Sequence, residues 1–475
     1  MSALPQNPSR RTMLKGLGMA ALAAGPLSAC AFGSSDSGTP STTAPAGPVS
    51  AENPFGVKAD APLEVVIFKG GLGDAYATDV HEPMYKKAFP QATIKHVPTQ
   101  QIAQTQQPRF AGGDLPDVIA NSGSDLMDAG ALQSENQLLD LSQLFDAPAL
   151  GGSGKVRDTL MPGTIEAGLI AGKPFQMKYI YTAYGLWYDS ALFAKNNWTP
   201  ATTFEEFDAL LGKIKAAGLQ PFAYAGKNAS YYMYWMIAIT AAKIAGNQVL
   251  IDMDNLKDGV WTSDPVRQSA EKWAAIGKKY LDPSFEGLTH TEVQTSQNQG
   301  HVGFYPSGSW LENEQKEQTP ATFQYALTAT PSVSSSDKLP FGALRAAAGE
   351  AYIVPSKAKN TAGGLEYLRM MLSKDGARGF TEKTGNITVV KGAADGLPLS
   401  PGNKSTNDAL NKAGSNIITY NLFEDWYKEF ETELRSKTNA LMFGRINAEQ
   451  FCKDVQAKAD AVRNDSSVTK QNRTS

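Results

Sequence analysis

Histidine and cysteine, which often hold metals or act as nucleophiles and bases, are few in this chain, and their spacing matches no catalytic or metal-binding pattern. The four histidines are His81, His96, His290 and His301. Their separations match none of the ligand spacings of a zinc site. Glycoside hydrolysis needs two carboxylates at a fixed separation, yet the grouped acids lie in helical surface patterns: Glu205, Glu206, Glu312 and Glu314. We therefore expect no catalytic residue, no metal and no cofactor.

Cys30 is the thiol to which the sequence assigns a specific chemistry. Residues 9–15 read Ser-Arg-Arg-Thr-Met-Leu-Lys, a twin-arginine export signal, and an apolar run follows from Gly16 to Leu27. The run is too short to span a bilayer and has the layout of a signal peptide. Leu-Ser-Ala-Cys at 27–30 resembles a bacterial lipobox, which implies lipidation of Cys30. We predict a twin-arginine lipoprotein signal peptide over 1–30; a plain signal peptide with an incidental cysteine is the alternative.

The segment that follows the predicted lipid anchor has the composition of a linker. Residues 31–50 are mostly Gly, Ser, Thr, Pro and Ala, and such a segment buries too little apolar surface to offset its chain entropy. We predict a flexible tether over 31–55 that holds the folded body at the extracytoplasmic face of the cell membrane. With Cys30 lipidated, Cys452 has no disulfide partner, and its helical surroundings predict a small buried side chain.

Strands and helices alternate along the body of the chain, which predicts an α/β fold. Strands are predicted at 63–68, 92–97, 116–120, 220–224 and 302–305, and helices at 81–88, 204–217, 362–372, 376–384, 422–441 and 447–462. We expect a mostly parallel sheet with ligands at the carboxyl ends of its strands. The loops there are 70–73 and 121–124. The net charge of −3 argues against a nucleic-acid surface.

Five motifs in order resemble those of extracellular sugar-binding proteins of ABC importers. They are Gly-Asp-Leu-Pro-Asp-Val at 113–118, Gly-Leu-Trp-Tyr-Asp-Ser-Ala-Leu-Phe at 185–193, Thr-Phe-Glu-Glu-Phe at 203–207, Gly-His-Val-Gly-Phe at 300–304 with Gly-Ser-Trp at 308–310, and Phe-Thr-Glu-Lys-Thr-Gly-Asn at 380–386. Asp189 and Phe204 replace the usual Asn and Trp, and Gly303 and Phe304 also depart from the pattern. The chain is most similar to actinobacterial N-acetylglucosamine and chitobiose-binding lipoproteins.

This resemblance implies two α/β lobes around a ligand cleft, with the chain crossing between the lobes three times. The expected first lobe comprises 56–174 and 343–392, and the expected second lobe comprises 175–342 and 393–475. The implied function is capture of N-acetylglucosamine or short chito-oligosaccharides by lobe closure, followed by delivery to the permease subunits in the membrane. We expect a monomer that is not an enzyme.

Sugar recognition needs an aromatic face for the C–H side of the ring and short polar groups for the hydroxyls. Trp310 is expected to stack on the sugar by analogy with the family motif, and Trp426, Tyr231 and Trp235 are further aromatic candidates. The polar candidates are Lys69, Asp74, Asn121, Ser124, Asp125, Asn228 and Glu350. For an N-acetylated sugar, the aromatic side chains within 231–235 are expected to pack against the methyl group. Asn121 or Asn228 is expected to supply both the hydrogen-bond donor and the acceptor for the sugar's amide.

Two other functions are compatible with the same residues. The ligand could be another mono- or oligosaccharide, such as cellobiose or a xylo-oligosaccharide. A lipid-anchored glycosidase would need the carboxylate pair that the sequence does not display. Arg345, which follows the second predicted crossing, is expected to pair with an acid at the surface.

Overall fold

The computed structural model describes residues 47–70, 72–123, 125–419, 423 and 426–474. The predicted signal peptide with Cys30, most of the predicted tether, Ser124 and the predicted helix start at Leu422 lie outside these residues.

Eleven strands occur among the described residues. They are β1 (Leu63–Phe68), β2 (Ile94–Thr99), β3 (Val118–Asn121), β4 (Leu169–Ile170), β5 (Lys173–Pro174), β6 (Met177–Asp189), β7 (Gln220–Phe222), β8 (Val302–Gly308), β9 (Tyr325–Thr328), β10 (Leu344–Ile353) and β11 (Ile417–Ile418).

Helices cover the sheet and make up most of the remaining regular structure. They are α1 (Glu82–Ala88), α2 (Ile102–Gly112), α3 (Ala129–Ser134), α4 (Ser142–Asp146), α5 (Ser190–Lys195), α6 (Phe204–Ala216), α7 (Tyr231–Ala245), α8 (Gln248–Asp254), α9 (Asp264–Tyr280), α10 (His290–Asn298), α11 (Leu311–Glu314), α12 (Thr361–Met371), α13 (Lys374–Thr384), α14 (Pro401–Ala413), α15 (Lys428–Met442) and α16 (Ala448–Asn464). In the described part of the chain, every helix is too short or too polar to cross a lipid bilayer.

The main sheet has the order β2-β1-β3-β10-β6-β8-β7, with β11 beside β10 and β9 beside β6. The α/β prediction is confirmed, but the expectation of a mostly parallel sheet holds only towards its ends and for the two-residue strand β11, which is parallel to β10. Strand β1 is parallel to both β2 and β3, and β7 is parallel to β8. The centre is antiparallel because the long strand β6 pairs with β10 on one side and with β8 and β9 on the other.

Local sequence signals account for most element boundaries. Helix α6 begins after Thr203, whose hydroxyl accepts the Glu206 N–H while the Glu206 carboxylate accepts the Thr203 N–H, a capping box. Asn447 caps α16 by a single hydrogen bond, which its side chain accepts from the Gln450 N–H. Cys452 on α16 is buried, as predicted.

The predicted helix over 422–441 is interrupted, because the backbone leaves helical geometry at Tyr427, although Phe423 and Trp426 before it are helical. Its φ is −136° and its ψ is 73°, and α15 begins at Lys428. The Tyr427 ring is buried and its hydroxyl accepts a hydrogen bond from the Gln471 N–H. This tertiary contact outweighs the local preference for a continuous helix.

Candidate functional site

Five aromatic side chains from three parts of the fold meet beside the middle of the sheet. This aromatic cluster consists of Tyr184, Tyr231, Tyr232, Trp235 and Trp310. Trp235 lies 4.7 Å from Tyr184 and 4.8 Å from Tyr231 between ring centroids, both edge-on. Trp310 lies 5.5 Å from Tyr184 and 6.2 Å from Tyr232. Edge-to-face packing at these distances is favourable, so the rings hold one another in place.

Helix α7 supplies three of these rings. Its sequence is largely apolar on all sides, which buries the helix and with it most of the ring surface. Its residues 232–243 are all buried, as expected for a helix within a core. Tyr231, half-buried, and Trp235 are one turn apart and touch, as predicted. Tyr232 also packs on Trp235, at 5.7 Å, although helical spacing alone predicts that it lies on a separate face.

Gly308 explains how Trp310 enters the cluster. A Cβ atom at Gly308 would stand 2.2 Å from the Trp310 ring, so only glycine permits the ring to fold back over strand β8. Trp310 itself is half-buried, so the contact with Gly308 holds the ring while part of its surface stays accessible.

Arg345 lies at the base of the aromatic cluster and not at the surface. The expected surface ion pair is wrong, because Arg345 is 0% exposed. On β10 it stands opposite Tyr184 of β6. Its guanidinium carbon lies 3.7 Å from the centre of the Tyr184 ring and 4.3 Å from that of Trp235. Among the described residues, none of its three side-chain nitrogens has a hydrogen-bond partner.

Lys69 and Asp74 form a charged group at the loop that follows β1. The Lys69 ammonium lies 3.2 Å from the Asp74 carboxylate, and His96 Nε2 lies 3.3 Å from the same oxygen. His96 Nδ1 in turn lies 2.6 Å from Glu82. Partial burial opposes ionisation of Asp74, but hydrogen bonds from Lys69 and His96 outweigh it and lower its pKa. The loop therefore presents a fixed carboxylate and an exposed ammonium.

Glu350 lines a small cavity beside the same loop. The cavity has a volume of about 60 Å³ and is bounded by Gly70, Tyr76, Tyr179, Tyr352 and other residues. It has room for water but not for a sugar ring. Glu350 has a φ of +51°, a left-handed conformation that non-glycine residues adopt at a cost and that is enriched at functional sites.

The other predicted polar residues have partners within the protein. The Asn121 amide donates to the Met127 carbonyl at 3.0 Å and accepts from its N–H at 2.8 Å. The Asp125 carboxylate accepts from the Gln104 N–H in the first turn of α2. The Asn228 amide is held by His290 at two atoms. Since these bonds use one donor and one acceptor of each amide, neither Asn is preorganised for an acetamido group.

Trp426 is half-buried and packs edge-on against Tyr427 at 6.2 Å. Among the described residues, no ring pair joins Trp426 to the aromatic cluster. The structure thus brings Tyr231, Trp235 and Trp310 together, and Lys69 with Asp74, but it does not bring all the predicted residues into one contact network. A groove of about 600 Å³ lies elsewhere, along Glu312–Asn313, Thr381–Gly385 and Leu397–Asn403, and no predicted site residue lines it.

Glu312 and Glu314, two of the acids considered for hydrolysis, are engaged in structural contacts. Glu312 accepts hydrogen bonds from the Ser400 hydroxyl and from the backbone N–H groups of Gly402 and Asn403, at the start of α14. Glu314 accepts from Gln294 and lies 3.4 Å from His290. Glu312 therefore fixes one helix end, and Glu314 joins α11 to α10.

Sequence reasoning missed Tyr184 as a site residue and misplaced Arg345. Tyr184 sits in a long strand in which its neighbours are equally apolar, so periodicity does not single it out. Arg345 is the second residue of the strand opposite, 161 positions away, and only the register of β6 against β10 places the two side chains together.

The chain is similar to known proteins over most of its length. The family model described as "Bacterial extracellular solute-binding protein" matches residues 70–378. A relative from Streptomyces coelicolor, the diacetylchitobiose binding protein NgcE, is 36% identical over 97% of each chain.

Solved structures share the fold. The apo form of RafE from Streptococcus pneumoniae superposes with a TM-score of 0.67 at 18% identity, covering 85% of this chain and 98% of that one. A chitin oligosaccharide binding protein gives a TM-score of 0.62 at 16% identity, covering 86% and 100%. These neighbours are two-lobed, which confirms the predicted fold class. The chain belongs to the family of bacterial extracellular solute-binding proteins.

Proposed function

We propose that this protein captures diacetylchitobiose, and with it N-acetylglucosamine or other short chito-oligosaccharides, for an ABC import system. The observation that carries this proposal is the aromatic cluster, in which Tyr231, Trp235 and Trp310 gather beside the buried guanidinium of Arg345. Ring faces bind the C–H surfaces of sugars, and a buried donor group binds their oxygen atoms. The similarity to a diacetylchitobiose binding protein over nearly the whole chain supports the choice of sugar.

The proposed mechanism is closure of two lobes around the ligand, with binding energy shifting the balance between open and closed states. The proposed first lobe comprises 56–174 and 343–392, and the second comprises 175–342 and 393–475. Strand β10 runs between the two proposed lobes, because Ala351–Ile353 pair with β3 of the first lobe whereas Leu344–Arg345 pair with β11 of the second. In the closed state the Lys69–Asp74 loop and Glu350 add polar contacts to the sugar from the first lobe.

The proposed cellular setting follows from the leader and the family. Twin-arginine export and lipidation of Cys30 place the protein at the extracytoplasmic face of the membrane, where it acts as a monomer. It releases the sugar to the membrane subunits of a permease. Its role is to bind the sugar without cleaving it.

Calorimetric titration of the purified mature protein tests the proposal. We expect diacetylchitobiose to bind more tightly than cellobiose by about 10-fold or more, since cellobiose lacks the acetamido groups that the site is proposed to bind. N-acetylglucosamine and glucose form the matched monosaccharide pair. Equal or tighter binding of cellobiose, glucose or a xylo-oligosaccharide would contradict the proposed specificity. Recovery of uncleaved diacetylchitobiose after long incubation is expected, and release of N-acetylglucosamine would indicate a glycosidase.

A further inference from the structure

We propose that Arg345 sets the specificity for N-acetylated sugars by donating hydrogen bonds to the acetamido carbonyl oxygen of the ligand. This inference rests on the proposed function and assigns one of its main contacts. The sequence interpretation gives the task of binding the amide to Asn121 or Asn228, but the amides of both residues are engaged by protein partners.

Arg345 is buried without a hydrogen-bond partner among the described residues, and this observation is the first support for the proposal. A buried charge that lacks partners is strongly unfavourable. Arg369, also buried, shows how this chain normally satisfies such a group: its nitrogens donate to the Glu366 carboxylate and to the carbonyls of Pro148 and Glu52. Within the described residues, Arg345 has no equivalent acceptor. A ligand that reaches Arg345 would supply the missing acceptor.

The geometry of the ring contacts limits what that acceptor can be. Tyr184 and Trp235 lie against the guanidinium at 3.7 and 4.3 Å. A guanidinium carries its N–H groups in its own plane and has no acceptor. The partner must therefore approach the edge of the group and must offer a lone pair.

An acetamido carbonyl meets these requirements better than a hydroxyl does. The carbonyl oxygen has two lone pairs and no hydrogen, and a hydrogen bond from a charged donor is about twice as strong as a neutral one. The acetamido methyl group is apolar. The Trp235 ring provides apolar surface beside the guanidinium, and Tyr231 and Trp310 extend that surface by packing on Trp235. A sugar without the acetamido group would bring only hydroxyls to Arg345.

The experiment compares diacetylchitobiose with cellobiose in three variants. Arg345→Met removes the donors, Arg345→Lys keeps the charge but not the planar edge, and Arg267→Met makes the same change at an exposed arginine on α9 that is paired with Asp264 and Glu271. We expect Arg345→Met to weaken diacetylchitobiose binding by about 10- to 100-fold. Its effect on cellobiose should be much smaller, so that the selectivity is lost. The affinity of Arg345→Lys for diacetylchitobiose should lie between those of the wild type and Arg345→Met. Arg267→Met should bind both sugars as the wild type does.

Thermal unfolding without ligand separates recognition from a structural role. Because Arg345 has no partner in the described residues, Arg345→Met should leave the melting temperature of the unliganded protein unchanged or higher, while the increase caused by diacetylchitobiose shrinks. Retained selectivity in Arg345→Met, or equal losses for both sugars, would overturn the inference. Tighter binding of a uronic acid disaccharide than of diacetylchitobiose would overturn it in favour of an anionic ligand. Failure of the wild type to bind diacetylchitobiose would instead contradict the proposed function itself.

Discussion

Trp310 combines a structural contact with a partly accessible surface, which suits the stacking role proposed for it. Its ring rests on Gly308 and touches Tyr184, yet it remains half-buried and not fully enclosed. A ring that is held on one side and accessible on the other is preorganised to stack on a ligand.

Replacing Trp310 by Ala should weaken diacetylchitobiose binding by about 1–3 kcal/mol, since a large ring contact is lost in a closed site. Titration calorimetry measures this change. Trp198→Ala is the matched control, because Trp198 is another half-buried tryptophan that packs on Phe193 at 5.5 Å, outside the aromatic cluster. Unchanged affinity in Trp310→Ala together with a large loss of stability would assign Trp310 to the core alone.

His81 is a buried neutral residue that should make the stability of the protein depend on pH. Burial lowers its pKa to about 4, and its Nε2 atom lies 3.2 Å from both the Gly376 carbonyl and the Tyr179 hydroxyl. In the unfolded chain the pKa is about 6.5. Between these values the unfolded state binds more protons, so stability falls as the pH decreases from about 6.5 to 4.

The expected contribution of His81 over this range is up to about 3 kcal/mol of unfolding free energy. Denaturant unfolding at pH 7, 5.5 and 4 measures it in the wild type and in His81→Gln, whose amide cannot titrate. The free energy of unfolding of His81→Gln should decrease less than that of the wild type as the pH falls. Parallel curves for the two proteins would show that other groups account for the acid sensitivity.

At the scale of elements, helix α7 and the C-terminal residues do the most to arrange the candidate site. Helix α7 projects three aromatic rings from its first turns. The C-terminal residues fix the segment that follows β11, where Arg473 Nη1 lies 2.7 Å from Asp254 of α8 and Nη2 donates to Thr419 at 2.9 Å. Asp254 also accepts from the Phe423 N–H. This buried network holds the chain next to Ile418, which pairs with Arg345.

Arg473→Met should lower the free energy of unfolding by roughly 3–5 kcal/mol, because it removes the charge that compensates a fully buried Asp254 carboxylate. Chemical denaturation measures the loss. Lys470→Met, a change at an exposed residue of the same segment, should have little effect. The double variant Asp254→Asn with Arg473→Met should recover part of the stability; no recovery would argue against the ion pair as the cause.

At the scale of the whole molecule, strands β6 and β10 form the antiparallel centre that connects the two parallel ends of one sheet. Tyr184 and Arg345 lie on these two central strands. Any relative movement of the ends would therefore act on the candidate site directly. The predicted signal peptide lies outside the described residues, and the export and lipidation that it implies stay predictions from the sequence.

Cys30→Ser should leave the protein exported but without lipid, because Cys30 is the lipid acceptor that the lipobox implies. Fatty-acid labelling and fractionation of the producing cells measure this. The wild type should be labelled and found with membranes, and the variant should be unlabelled and released. Cys452→Ser is the control, since Cys452 is buried in α16. A Cys30→Ser protein that remains labelled would refute the lipobox interpretation.

Local sequence signals determine many of the helix and strand boundaries of this protein. Side-chain chemistry over a few neighbouring residues accounts for several features of the fold. They are the helix caps at Thr203 and Asn447, the buried strand β1 and the apolar start of α7. The family motifs carry the fold class for the same reason, since they preserve strand ends and helix starts in order. The pairing of Tyr231 with Trp235 needs only the helical period.

Tertiary structure decides which polar groups are free to act. Asn121 and Asn228 are plausible ligand residues in sequence, but Met127 and His290 occupy their amides. Arg345 is a plausible surface residue, but the register of β10 against β6 buries it beneath Tyr184 and Trp235. Such outcomes depend on contacts between residues far apart in the chain. Burial and hydrogen-bond satisfaction are properties of the assembled sheet, and neighbouring residues do not encode them.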